Sequence, residues 1–352
     1  TNLNYIKCLA TDISATNCTY SWVNGVAETG TFVKAADTSW TIGVNGIPEG
    51  WISEDIGTID GTIDAVTFTA EEAGSTIGLN SLPYNQTLEY KTASSDWTSM
   101  SLSTNITLNN IGDKVYVRGV LSGDNNASNY TQFTMTGKIA ASGNCNALWN
   151  YNDLNAPLKA YCGYGMFENC TALISTPDLP ATTLDQSCYE GMFFGCTSLM
   201  TAPKLPATTL AYACYSIMFC GCTSLTKAPD LPATTLAHSC YGYMFGSCTS
   251  LTTVPSSHPA TTLLDNCYYD MFNGCTSLTV APKLPATTLT QSCYQYMFSD
   301  CTSLTTAPDL PATTLAENCY DGMFGGCTSL TTVPSILPAT TLVDNCYRDM
   351  FR

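Results

Sequence analysis

The chain has 352 residues, with 12 Lys or Arg against 28 Asp or Glu and a formal charge of −16. Residues 1–140 and 141–352 each hold 14 acids and 6 bases, so neither part offers the basic surface that phosphate-backbone binding needs, which argues against a nucleic-acid partner. No apolar run is long enough to span a bilayer, so no transmembrane segment is expected in this chain.

Residues 1–78 alternate in the strand manner at Cys18, Tyr20 and Trp22, at Trp40, Ile42 and Val44, and at Val66 and Phe68. Asn24-Gly25 reads as a tight hairpin turn, because that dipeptide tolerates positive φ at both positions, and Asn45-Gly46 gives a second turn signal. A small β-sandwich (Ig-like) module is expected over 1–78. A second small β module is expected over 79–140, with Val115 and Val117 on one strand face, Phe133 and Met135 on another, and a turn at residues 109–113. Residues 141–160 read as a linker and the N-terminal cap of a repeat array. All five tryptophans, Trp22, Trp40, Trp51, Trp97 and Trp149, precede residue 150, which marks a change of architecture there.

From residue 161 the chain repeats CYxxMFxxCTSL followed by PxLPATTL. The repeat methionines are Met166, Met192, Met218, Met244, Met271, Met297, Met323 and Met350, at steps of 26 or 27 residues. A fixed period in this range is the signature of a solenoid, in which each unit buries its apolar face against its neighbours. Within one unit, Thr314 and Glu317 have the spacing of a capping box. Leu315, Cys319, Met323 and Cys327 recur every four residues, the apolar face of a short helix. Residues 328–333 suit a strand that Pro334 stops. One short helix and one short strand per coil predict a right-handed α/β solenoid over 161–352. The chain stops at Arg352 in mid-repeat and starts at Thr1 without a signal peptide, which reads as a processed or trimmed piece of something longer.

The motif CYxxMFxxCTSLTxAPxLPATTL resembles the BspA-like leucine-rich-repeat surface proteins, found chiefly in Bacteroides and related bacteria. Residues 322–330, Gly-Met-Phe-Gly-Gly-Cys-Thr-Ser-Leu, match that family's AFxxCxxL core, with methionine in place of the small residue. Residues 79–160 also resemble the small β domain that precedes such repeats, at 112–115 and 143–145. The resemblance implies a bacterial cell-surface or secreted binding protein, some members being adhesins. Related repeats also occur in phage-encoded proteins.

Each complete repeat carries a cysteine pair eight residues apart, such as Cys319 and Cys327. Disulfides would staple an exported protein; reduced cysteine would serve as a small core residue. If one helix ran through both positions, their α-carbons would lie about 12 Å apart, beyond disulfide range. That geometry favours reduced core thiols. No CxxC occurs, and the only histidines are His238 and His258, so no metal or other cofactor is expected. No nucleophile elbow, Gly-rich phosphate loop or HExxH is present, so no enzyme is expected. The positions that vary between repeats include Tyr212, His238, Tyr243, Tyr269, Asp270, Gln295, Tyr296, Asp300, Asp321 and Arg348. Tyrosine among Ser, Gly, Asn and Asp is a binding-surface composition, although drift on a solvated face would also produce it. A second candidate surface is the strand side, where Lys204, Lys227 and Lys283 lie among threonines. Two functions are expected on these grounds. The first is an extracellular or surface-displayed adhesin-like binder of a host or bacterial surface protein or glycan. The alternative is a structural fibre or appendage component, phage-encoded in one version, which self-assembles through its β modules and open repeat end.

Overall fold

A computed structural model describes residues 5–8, 23, 26–35, 40–56, 65–121 and 125–352. It divides into two compact units, Thr1–Ile63 and Asp64–Arg352. In the first unit β1 (Tyr5–Cys8), β2 (Thr31–Ala35) and β3 (Ile52–Ile56) pair in parallel, in the order β1-β2-β3. Parallel neighbours need crossover connections rather than tight hairpins, so the Ig-like arrangement expected over 1–78 is corrected. Phe32, Ile47 and Trp51 are buried together, and Trp40 meets the Phe32 ring edge-on at 5.2 Å. The turn expected at Asn45-Gly46 is present, with Gly46 N donating to Gly43 O at 3.0 Å. The Asn24-Gly25 turn and the alternation at Cys18, Tyr20 and Trp22 lie outside the described residues.

The second unit opens with β4 (Val66–Ala70), β5 (Ser75–Ser81), β6 (Thr87–Thr92), β7 (Thr98–Met100), β8 (Asn105–Leu108), β9 (Lys114–Val120), β10 (Gln132–Thr136) and β11 (Ile139–Ser142). A short helix, α1 (Asn146–Asn150), and β12 (Leu173–Ser175) come next. The strands form a three-stranded sheet, β10-β5-β8, and a six-stranded sheet, β12-β11-β4-β9-β6-β7. The expected division at residue 78 falls inside β5, which pairs with β8 and β10 along its length. A hydrogen-bonded strand cannot be shared between two modules, so that boundary is corrected to the one between Ile63 and Asp64. Alternation at Val115, Val117, Phe133 and Met135 is as expected, with all four side chains buried. Phe68 of the larger sheet meets Phe133 of the smaller at 5.6 Å between ring centroids.

Residues 141–160 are packed rather than a linker. Trp149 is buried, its indole N–H donates to Cys162 O at 2.8 Å, and its own carbonyl accepts from Leu121 N. The strands run directly into the repeats: Phe133 N donates to Met166 O at 2.8 Å, β11 pairs in parallel with β12, and the Phe133 and Phe167 rings stack at 5.2 Å. One apolar core therefore continues from Val66 to Met350.

The repeats contain no helix, and the expected strand is present only in the first of them, as β12. In the coil over 292–301, Ser292, Tyr294, Tyr296, Phe298 and Asp300 donate their N–H groups to Glu317, Cys319, Asp321, Met323 and Gly325 of the next coil. The intervening Cys293, Gln295, Met297, Ser299 and Cys301 each donate three residues back within their own coil. An α-helix keeps every interior N–H for itself; here every second donor joins one coil to the next. The backbone manages this by turning left-handed at every fourth residue, as at Ser292, Tyr296 and Asp300 with φ of 52°, 54° and 57°. The capping box is likewise corrected. Thr314 makes a parallel bridge to Thr288, and the Glu317 backbone carbonyl accepts from Ser292 N. The strand expected at 328–333 reduces to a single parallel bridge between Thr332 and Thr306.

The repeat residues form columns along the stack. Phenylalanines from Phe193 to Phe324 stack at 5.6–5.7 Å with planes within 6° of parallel, and Tyr189 to Tyr320 form a second ladder at 5.6–6.0 Å. Such offset stacking adds to the burial of large apolar rings. Every cysteine from Cys145 onward is a free thiol. The second member of each pair points at the coil before it, as where Cys275 Sγ–H donates to Phe245 O at 3.1 Å and Cys301 to Phe272 O at 3.1 Å. Burial raises the pKa of these thiols, Cys275 well above its ordinary value, so they stay protonated and unreactive.

Left-handed φ is cheap for glycine and costs an ordinary L-residue about 1–2 kcal/mol. Gly221 holds such a position at φ 76°, where an added Cβ would meet nothing closer than 3.5 Å. Gly221→Ala is therefore expected to lose about 1–2 kcal/mol through the backbone alone. Gly242 lacks that φ and its nearest neighbour is also 3.5 Å away, so Gly242→Ala should change little. Urea midpoints of the two variants check the contrast; equal losses would show that the left-handed turn is not the cause.

Candidate binding face

The left-handed positions put a distinct set of side chains on one side of the coils. The middle position of each coil is filled in succession by Gly165, Gly191, Ile217, Tyr243, Asp270, Tyr296, Gly322 and Asp349. In the last four of these coils the residue just before it is Tyr269, Gln295, Asp321 and Arg348 in turn. Gly, Asn and Asp are the residues that tolerate this backbone. Much of the Ser, Gly, Asn and Asp content that reads from sequence as an adaptable binding surface is thus dictated by φ. Tyrosine is not: Tyr243 and Tyr296 sit at φ 54° without that preference.

The predicted residues separate into three groups. Tyr243, Tyr269 and Tyr296 meet edge to face along the stack, at 5.4 and 6.3 Å. Gln295 Nε2 donates to Asp321 Oδ2 at 2.9 Å, and Arg348 donates to both oxygens of Asp321, Nε at 3.0 Å and Nη2 at 2.5 Å. Asp300 is exposed and lines a shallow groove of about 380 Å³ with Tyr296 and Asp349. Tyr212 and His238 lie in a separate column and are exposed, His238 Nδ1 standing 3.7 Å from Asp265 Oδ2. Asp270 and Asp321 do not face solvent as expected; they are 1% and 0% exposed. Asp270 Oδ1 accepts from Asn273 Nδ2 at 2.5 Å. Burial raises its pKa, with Asn273, Tyr243 and Tyr269 acting in the opposite direction.

The family model described as "BspA type Leucine rich repeat region (6 copies)" matches residues 269–350. The repeats over residues 269–350 are BspA-type leucine-rich repeats. No curated protein and no solved structure matches the chain. Repeats of this family are associated with surface, adhesin-like proteins and are typically non-enzymatic modules of protein interaction. Proteins that carry them are commonly on the surface or secreted. Among the described residues, no helix is long and apolar enough to cross a membrane.

Around the BspA-type repeats the structure adds residues that sequence reasoning does not single out. Tyr130, just before β10, packs on Tyr164 of the first coil at 4.9 Å and donates its hydroxyl to Glu168 Oε2 at 2.8 Å. Burial, then Glu168, pushes the Tyr130 phenol up to about 12. The signal lay in Tyr161 and Tyr164, which occupy variable positions of the first repeat, but Tyr130 comes from a segment that the sequence assigns to another module. On the proline-rich side, Lys204 and Lys227 do come together. They flank a groove of about 650 Å³ floored by Met200, Leu205 and Ala228, while Lys283 lies elsewhere. The parallel bridge that Lys227 makes to Thr253 has no counterpart one coil earlier.

Proposed function

We propose that this chain is a non-enzymatic, extracellular or cell-surface binding protein. In this reading the coils form a right-handed solenoid preceded by a β-sandwich. Its left-handed face presents Tyr212, His238, Tyr243, Tyr269, Tyr296, Gln295, Asp300 and Arg348 to a protein or glycan of a host or bacterial surface. The observation that supports it is the run of Tyr243, Tyr269 and Tyr296 across three consecutive coils. Two of these rings are held at a backbone conformation that disfavours tyrosine, and Tyr243 is 39% exposed. Strain retained at an exposed aromatic points to selection for something other than stability. Tyrosine gives a ligand a large amphipathic contact at low entropic cost.

Tyr243→Asn combined with Tyr296→Asn tests this, because asparagine suits φ near 54°. The double variant should melt no lower than the parent. It should lose about tenfold or more of its affinity for any ligand found in a screen of matrix proteins and surface glycans, as expected when aromatic anchors are removed. Unchanged affinity for every ligand that the parent binds would remove this face from the proposal.

A further inference from the structure

Two aspartates are buried beneath the tyrosine-bearing face, and they differ in what they are given. Asp321 has a complete set of partners: the Gln295 amide, and the Nε and Nη2 of Arg348, whose guanidinium also reaches Tyr296. Asp270 is equally buried, receives Asn273 Nδ2 on Oδ1 and lies in reach of the Tyr243 and Tyr269 hydroxyls, yet no donor closes on Oδ2. Its other neighbours are the phenols of Tyr243 and Tyr269 and the half-buried Cys220 thiol. None of these is a cation, and among the described residues no Lys, Arg or His pairs with Asp270. A carboxylate oxygen buried without a donor is costly, and a planar guanidinium is the group best matched to it.

We infer that Asp270, with Tyr243 and Tyr269 above it, receives the guanidinium of an arginine side chain from a bound polypeptide. The chain supplies the pattern itself, with Arg348 on Asp321 beside Tyr296. At Asp270 the equivalent cation has to come from outside. Tyr243 is the exposed part of the roof, and rotation of an exposed side chain is fast. A guanidinium entering beside it would stack on the tyrosine rings while its N–H groups reach Oδ2. The net charge of −16 favours the approach of a basic partner. This inference rests on the face being a binding surface and narrows its ligand to an arginine-bearing polypeptide.

The test is a titration of the whole chain, labelled with 3-fluorotyrosine, followed by fluorine NMR. The probes are N-acetyl-arginine methylamide and its neutral isostere N-acetyl-citrulline methylamide. The arginine probe should shift the Tyr243 and Tyr269 resonances saturably, the citrulline probe should not, and Asp270→Asn should weaken the arginine probe by about tenfold or more. Asparagine is isosteric and suits the left-handed backbone at Asp270, φ 53°, so the variant should keep its fold and an unchanged fluorine spectrum elsewhere. No saturable shift, an equal response to citrulline, or equal binding by Asp270→Asn would each overturn the inference. A surface ligand lost in the Tyr243→Asn, Tyr296→Asn variant but kept by Asp270→Asn would also overturn it, while leaving the face itself as the binding surface.

Discussion

Phe245→Ala is expected to cost about 3–5 kcal/mol, a large share of the roughly 5–15 kcal/mol that holds a typical domain. Phe245 is 0% exposed and stacks on Phe219 and Phe272, each at 5.6 Å and within 6° of parallel. Its carbonyl also accepts the Cys275 thiol. Truncation removes the ring from two interfaces at once and leaves a cavity that flanking rings, fixed by their own ladders, cannot fill. In a stack where each coil touches only its neighbours, a weak interior interface uncouples what lies on either side. Denaturant unfolding should therefore broaden or split into two transitions as well as shift. Phe351 provides the comparison: it is 48% exposed and stacks on the single ring of Phe324, at 5.5 Å. Phe351→Ala should cost well under half as much. Equal losses at the two positions would mean that the phenylalanine column is not a principal source of cohesion.

His258→Leu is expected to stabilise the protein and to remove part of its sensitivity to acid. His258 stands where neighbouring coils place Leu205, Leu231, Leu284 and Leu310, and it is 1% exposed between Tyr268 at 4.9 Å and Phe272 at 6.2 Å. Neither ring nitrogen has a hydrogen-bond partner. Burial pushes its pKa down to about 4, against about 6.5 for a free imidazole. As pH falls below about 6.5 the unfolded chain takes up the proton first, so the folded state loses stability through that window until the native imidazole titrates near 4. The full loss is about 3 kcal/mol at most. Leucine abolishes that slope and removes the unpaired buried nitrogens, worth about 1–3 kcal/mol at neutral pH. Urea midpoints at about pH 7 and pH 5, on either side of the free imidazole pKa, should lie closer together in the variant than in the parent. A gap of the same size in both proteins would assign the acid sensitivity to carboxylates.

The period and the core columns were legible in the sequence, because burial of Met, Phe, Tyr, Cys and Leu recurs in phase; the free thiols are as expected, but the helical spacing that favoured them is not what the coils adopt. The conformation of each coil was misread for a physical reason. Leu315, Cys319, Met323 and Cys327 are spaced by four, close enough to a helical turn to suggest one. The contrary signal is at Asn318, Gly322 and Gly326, also spaced by four and all at positive φ. Residues that favour left-handed backbone at such a spacing disfavour a helix interior. The boundary at 78 failed because β4 and β5, consecutive strands on either side of a short turn, belong to different sheets of one unit. On the binding face, exposure could not be read from variability. Asp270 and Asp321 vary between repeats yet are buried, because the left-handed turn directs neighbouring side chains inward as well as outward.

The five backbone rungs between successive coils recur at every step, and the two insertions leave them intact. Tyr189 N donates 25 residues ahead to Cys214, while Tyr241 N donates 26 ahead to Cys267. The extra residue lies away from that ladder, between Pro255 and Pro259. Each coil thus presents the same backbone socket to whichever coil comes after it. Near-identical gene segments that encode interchangeable parts are substrates for unequal recombination, and duplication or loss of one whole segment would leave the backbone ladder unbroken. Length can therefore change in steps of one coil, and what such a step disturbs is the side-chain contacts particular to one junction, such as Arg348 on Asp321.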